Sequence, residues 1–194
     1  MDFLIREGYP TEQSLRVAEI LYEAFSDAYL PIFHSKDHTL KLLQRHIRQD
    51  MILTAIEGGI VIGVAGLAFK GRNFFNPTIL QVIDVLGLDV IHYISKGSPL
   101  NFELTEDEAN IDSLAVHSDA RGRGVGSLLV SEVCDLFRKT GYAKISLHVI
   151  DKNLDARRFY ERLGFKTISE QQLPWPWSRV YGFKKNYYMV KPLF

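Results

Sequence analysis

Cysteine is almost missing from this chain. Cys134 stands alone among 194 residues, so no disulfide can form within the chain and a reducing cytoplasm is the expected home. Net charge is missing too: 23 Lys and Arg meet 23 Asp and Glu, which argues against a dedicated nucleic-acid binder, where a basic excess is expected. No run of 18 apolar residues occurs, which argues against a membrane span. The start, Met1-Asp2-Phe3-Leu4-Ile5-Arg6, lacks the basic stretch and apolar core of a secretory signal. No internal repeat or low-complexity tract is visible. With 46% hydrophobic and 24% charged residues, the composition is that of an ordinary folded domain and not of a disordered chain. One domain over 1–194 is therefore expected.

Strand and helix patterns alternate along the chain. Phe3 to Arg6 reads as a short strand. A helix follows with Thr11 as its N-cap and Leu15, Ala18, Tyr22 and Phe25 on one stripe. A second helix begins near Asp37. Met51–Ile56 and Ile60–Phe69 read as a hairpin across Glu57-Gly58-Gly59, with Gly63 and Gly66 marking a bulge or a close approach. Residues 70–105 read as a helical insertion. Asn76-Pro77 looks like a cap and first-turn proline there, and Ile79–Leu86 and Leu88–Ile94 look like buried helices. Ile111–Val116 is a strand, Gly126–Gly141 a helix, Lys144–Ile150 a strand and Asn153–Leu163 a helix. Phe165–Ser169 and Tyr187–Lys191 close the pattern as strands. The fold class is α/β (α+β), a sheet flanked by helices.

Arg121-Gly122-Arg123-Gly124-Val125-Gly126-Ser127 links a strand to an amphipathic helix. Glycines there let backbone approach a ligand, and a helix N-terminus offers unpaired N–H groups with a positive dipole end. Such a site binds phosphate. The lysine of a Walker loop is missing, and Ser127 stands where a dinucleotide fingerprint needs its third glycine. Alone, the loop is equally compatible with a glycine-rich helix cap.

A second motif sits downstream: His148-Val149-Ile150-Asp151-Lys152-Asn153, then Asn153-x-x-Ala156-x-x-Phe159-Tyr160 and Gly164-Phe165. Together with Ile111–Val116 and the glycine loop, residues 108–166 resemble the GNAT superfamily of acetyl-CoA-dependent N-acetyltransferases. The resemblance implies a mixed, mostly antiparallel sheet splayed between the strands at 111–116 and 144–150, which would be the fourth and fifth, with the insertion between the third and fourth. It implies acetyl-CoA as co-substrate; no His/Cys cluster has metal-ligand spacing, so no metal is expected. The pantetheine arm would lie along Leu114, Ala115 and Val116. The N–H groups of the 121–127 loop would hold the pyrophosphate. Asn153, Ala156, Phe159 and Tyr160 would line the cofactor.

An amine must lose a proton to attack, since a lysine-type amine has a pKa near ~10, and the CoA thiolate must gain one. Tyr160 matches the family's acid; packing on its helix stripe is the alternative. For the base, Glu103, Glu106, Asp107, Glu108 and Asp112 precede or lie on the splayed strand. The resemblance favours Glu108, then Asp112, with His117 and His148 as relays or as structural residues. Acceptor contacts would come from Phe25, Asp27, Tyr29 and Phe33, and from Trp175 and Trp177, which either grip an amine by cation–π contact or pin their loop. Cys134 reads as packing. The acceptor would be an amine of a small molecule or of a peptide or protein. The insertion would wall the acceptor site or form a homodimer contact. A non-catalytic acyl-CoA-binding module and transfer of a longer acyl chain are the competing readings.

Charge is segregated along this stretch. Residues 101–119 hold six acids and no Lys or Arg, whereas 120–166 hold ten Lys and Arg against five acids. The basic part suits anionic CoA, and the acidic part suits a cationic amine.

Overall fold

The computed structural model describes residues 3–33, 35–87 and 103–194. In chain order it contains β1 (Leu4–Glu7), α1 (Ser14–Phe33), α2 (Lys36–His46), β2 (Ile52–Glu57), β3 (Ile60–Phe69), β4 (Arg72–Asn73) and α3 (Ile79–Leu86). These are followed by β5 (Glu108–Val116), α4 (Val125–Lys139), β6 (Lys144–Ile150), α5 (Leu154–Arg162), β7 (Lys166–Gln172), α6 (Trp177–Val180) and β8 (Lys185–Pro192). The strands form one open sheet in the order β1-β2-β3-β5-β6-β8-β7, with β4 on β3. All its pairings are antiparallel except β5 with β6. The mixed, mostly antiparallel sheet expected above is present. The small β4 makes the expected fourth and fifth strands β5 and β6.

Helices cover both faces. On one side, Leu129, Val133 and Phe137 of α4 and Tyr160 of α5 pack on Ile145, Leu147 and Met189. On the other, Val17, Leu21 and Leu43 of α1 and α2 pack on Ile52, Val64 and Ala115. Helix α1 is broken at Phe25, which leaves helical geometry (φ −128°, ψ 21°).

A bulge opens the sheet. Gly66 pairs with Ser113 but Leu67 with Ile111, so Asp112 is the extra residue on β5. A bulge bends and twists its strand. Parallel pairing with β6 runs only from Glu108↔Lys144 to Ile111↔Leu147 and ends there. The bulge also reverses which residues face the α4–α5 core: Ala109 and Ile111 before it, Leu114 and Val116 after it. Both glycines of β3 have steric reasons. A Cβ on Gly66 would lie 2.6 Å from the Phe74 ring, and one on Gly63 would lie 2.9 Å from Val125 Cγ1 at the start of α4.

One helix start differs from the expected one. Helix α3 is capped by Thr78, in a capping box with Gln81, and not by Asn76. Gln81 three residues after a threonine is the reciprocal pair that satisfies two end donors, and Pro77 falls outside the helix. The expected helix at Leu88–Ile94 lies outside the described residues.

Candidate functional site

Beyond Ile111, β5 and β6 diverge around a cleft of about 390 Å³. The His117 N–H donates to the Ile62 carbonyl, which marks 62/117 as a hydrogen-bonded pair. Antiparallel pairs alternate, so Val116, opposite Gly63, and Leu114, opposite Ala65, aim their N–H and C=O groups away from β3 and into the gap. Arg121 Nε donates to the Val116 carbonyl at 3.1 Å. The other groups of Leu114 and Val116 face space that an extended ligand could pair with. Ala115, between them, is buried on the α1–α2 side.

The glycine loop follows β5 and brings Gly126 beside Val116. Gly122 and Gly124 adopt left-handed φ values of 74° and 85° with open space where a Cβ would sit. Gly124 is the N-cap of α4 and no side chain caps it, so Val125, Gly126 and Ser127 present N–H groups at the positive end of the helix. Gly126 sits close under Phe159, where a Cβ would be 3.4 Å from Cζ. Arg123 turns away from the loop: Nη1 donates to Glu57 Oε2 at 3.0 Å, Nη2 donates to Oε1, and the guanidinium lies over Phe3. The loop's contribution toward a phosphate is therefore mainly backbone.

Asn153 caps α5 by accepting from the Ala156 N–H at 3.0 Å. Asn153, Ala156 and Tyr160 line the cleft wall facing Asp112 and Leu114. Burial pushes the Tyr160 phenol well above its ordinary value, so the hydroxyl stays protonated and has a hydrogen bond to donate at neutral pH. Asp112, at the bulge, is open to water inside the cleft yet surrounded by protein. Burial in that concavity raises its carboxyl, and a hydrogen bond from Ser113 opposes the rise.

Glu108 is elsewhere. It lies four residues before Asp112 at the other end of β5, 2% exposed. Tyr188 OH donates to Oε1 at 2.7 Å, and Lys144 Nζ is 3.3 Å from Oε2. Burial opposes its charge, but hydrogen bonds from Ser146, Tyr188 and Lys144 hold its carboxyl below the usual range.

A second cavity of about 390 Å³ shares Ala28, Asp112, His148, Ile150, Tyr181 and Phe183 with the cleft. Phe25 and Asp27 line the cleft. Tyr29 is near enough to Asp112 for the carboxylate to add to the upward shift that burial gives its phenol. Phe33 is not at this site; it is buried in a satellite core with Leu42, Val82 and Leu86. Trp175 is 78% exposed and Trp177 packs beside Tyr181. The loop's cleft contacts are Tyr181 and Phe183 instead. Which rings of this aromatic-rich stretch face the cleft is selected by the chain's return path into β8. His148, read as a relay or a structural residue, lines both cavities. Its Nδ1 is 3.1 Å from Asn186 Nδ2, and burial lowers its pKa to about 4 against the pull of Glu108. It is a neutral imidazole near pH 7.

Cys134 is buried and its thiol is raised by burial. Among the described residues no group of three His, Cys, Asp or Glu could hold a metal ion, and no helix is long and apolar enough to cross a membrane.

The model of the family described as acetyltransferase (GNAT) matches residues 18–165. Mycothiol acetyltransferase from Beutenbergia cavernae is 29% identical over 104 residues, which is 52% of this chain and 32% of that protein. The match thus spans about a third of that relative's length. Among solved structures, an N-acetyltransferase from Staphylococcus aureus Mu50 superposes with a TM-score of 0.71 at 20% identity, covering 97% of this chain and 100% of that one. The PaiA N-acetyltransferase of Thermoplasma acidophilum, in complex with coenzyme A, gives 0.57 at 17% identity, covering 99% of each. At these identities the structures share the fold.

Proposed function

The chain belongs to the acetyltransferase (GNAT) family, and from that membership we propose that it moves the acetyl group of acetyl-CoA directly to a primary amine of a small molecule, or of a peptide or protein. The observation that carries this reading is the cleft between β5 and β6, with Leu114 and Val116 groups that no described strand pairs on one wall and the α4 N-terminus, uncapped by any side chain, following β5. That combination fits an extended amide-containing arm joined to a pyrophosphate. Leu114 and Val116 would pair with the arm, and the Val125, Gly126 and Ser127 N–H groups would hold the phosphates. Gly122 and Gly124 leave room for that approach.

When bound, acetyl-CoA supplies an activated acyl carbon in a thioester. Asp112 borders both the cleft and the second cavity. Its raised carboxyl is a better base than an ordinary aspartate, and it takes the amine proton directly or through water. Glu108, held below the usual range by its partners, is the weaker base and does not line either cavity. A backbone N–H of Leu114 or Val116 donates to the thioester oxygen as charge develops there. Tyr160 donates a hydrogen bond toward the departing sulfur. Across the reaction a C–N bond forms, a C–S bond breaks, and the proton lost by nitrogen ends on the thiol. His148, neutral and half-buried, lines the path between the cavities and does not act as the base. Phe25, Asp27, Tyr181 and Phe183 surround the amine.

The test is thiol release from acetyl-CoA across a panel of amines. We expect amine-dependent release, and a loss of about a hundredfold in kcat for Tyr160→Phe with CoA affinity retained. CoA binding without thiol release for any amine would favour a non-catalytic acyl-CoA-binding module. Faster turnover with octanoyl-CoA would reassign the donor to a longer acyl chain. A protein that binds no CoA at all overturns the proposal.

A further inference from the structure

The second cavity does not end at Asn186. A third, of about 310 Å³, continues from it through Leu104, His148 and Asn186, which line both. Its walls come from Lys144 and His148 on β6, Asn186 and Tyr188 on β8, and Ser169 and Gln171 on β7. On β6 and β8 these positions alternate with the core residues Ile145, Leu147 and Met189, so they belong to the opposite face of the sheet. Glu103, Leu104 and Thr105 also line it, and it is open to solvent on one side.

Its chemistry is polar and net negative. Lys144 and Glu108 offset each other at 3.3 Å. Glu103 adds an exposed carboxylate, and among the described residues no ion pair occupies it. The hydroxyls of Thr105 and Ser169 and the amide of Gln171 supply further acceptors. Glu108 marks this cavity and Asp112 marks the transfer point. Four residues at ~3.3 Å each separate them by no more than about 13 Å along β5.

Resting on the acetyl-transfer reading above, we infer that the third cavity is a distal acceptor subsite, and that the accepted amine belongs to a small, elongated molecule with a second cationic group at its far end. The amine to be acetylated sits between Asp112 and the cleft. The chain passes His148, and the far ammonium lies among Glu103, Gln171 and Ser169. A monoamine of equal length would leave Glu103 without its counter-charge and bring an apolar end into a polar cavity.

The experiment compares α,ω-diamines, amino alcohols and monoamines of rising chain length by kcat/KM in the thiol-release assay. We expect a diamine long enough to reach Glu103 to exceed its monoamine by about tenfold or more, equivalent to ~1.4 kcal/mol. Ser169→Phe, which fills the distal cavity, should collapse that ratio toward one, and Glu103→Gln should erase the preference of diamine over amino alcohol. If Ser169→Phe fails to fold, Gln171→Trp serves the same purpose. No diamine preference at any length, or a preference that survives the filled cavity in a folded protein, overturns the inference. Absence of thiol release with every amine would instead sink the transfer reading. Calorimetric titration with the diamine then decides the subsite alone: binding that the filled cavity weakens supports it, and no binding overturns it.

Discussion

Asp112 and Glu108 lie four positions apart on β5 and carry opposite perturbations. Burial raises Asp112, so the folded state holds its proton more tightly than the unfolded chain. Its contribution to stability is full below the ordinary value of 3.8 and is lost as pH rises through the raised one. Asp112→Asn removes that loss. The expected outcome is a higher Tm at neutral pH together with a drop of about a hundredfold in kcat and loss of the acid limb of the kcat/KM profile. A variant that is more stable and equally active would show that Asp112 is not the base. Glu108 behaves in reverse. Its partners lower it, so its stabilisation is present above the ordinary 4.5 and is lost as pH falls through the lowered value. Glu108→Ala leaves Lys144 and Tyr188 without their buried acceptor. It should cost about 3 kcal/mol and flatten the acid side of the stability profile. Thermal melts across pH read both effects. Choosing between these two acids was beyond the sequence, because a lowered and a raised carboxylate differ in tertiary partners and not in local pattern.

At the scale of elements, the proposed phosphate-binding end depends on how closely α4 approaches β3. A Cβ on Gly63 would meet Val125 Cγ1 at 2.9 Å and Leu129 Cδ1 at 3.2 Å. Gly63→Ala must therefore push the first turn of α4 outward, at a cost of about 1–3 kcal/mol, and move the N–H groups proposed to hold the pyrophosphate. The expected outcome is a Kd for CoA raised about tenfold. Gly66→Ala is the control, since its clash is with the Phe74 ring on the opposite face. It should lower Tm and leave CoA affinity alone. Equal effects of the two variants on affinity would refute this account. Much of this arrangement was legible in advance. Both flanks of the Gly58-Gly59 turn are apolar runs of strand length, and the β6 run Lys144–Ile150 and the α4 stripe carry strong local periodicity. Gly63 and Gly66 were visible as anomalies in a strand, although the partner each glycine accommodates was not. The cap of α3 was misplaced by two residues because Asn76-Pro77 and Thr78 are both competent caps, and only Thr78 has Gln81 at the reciprocal position. The inward turn of Tyr181 and Phe183 was hidden for a different reason. It depends on how residues 174–184 pack back toward α1 and β6, a long-range contact that leaves no local signature.

Across the whole molecule, zero net charge conceals a segregation of charge. The acids at 103, 108 and 112 sit on the cavities behind the bulge, while Arg121, Arg123 and Lys152 sit around the cleft and its loop. Exposed charges act over roughly a Debye length, about 10 Å at 0.1 M salt, so each patch acts mainly on the ligand nearest to it. Two of the basic groups have local partners, Arg123 with Glu57 and Arg121 with the Val116 carbonyl. Lys152, on the cleft wall, should then carry more of the side-chain attraction for CoA than its position outside the glycine loop suggests. Lys152→Gln is expected to raise the KM for acetyl-CoA several-fold and to reduce its dependence on ionic strength, with the KM for the amine unmoved. Asp27→Asn, on α1 facing the same cleft, should do the converse. Steady-state kinetics at low and high salt with both substrates varied would read the two effects separately. If the two KM values move together in either variant, the charges act through the fold as a whole, and the division between an anionic donor and a cationic acceptor fails.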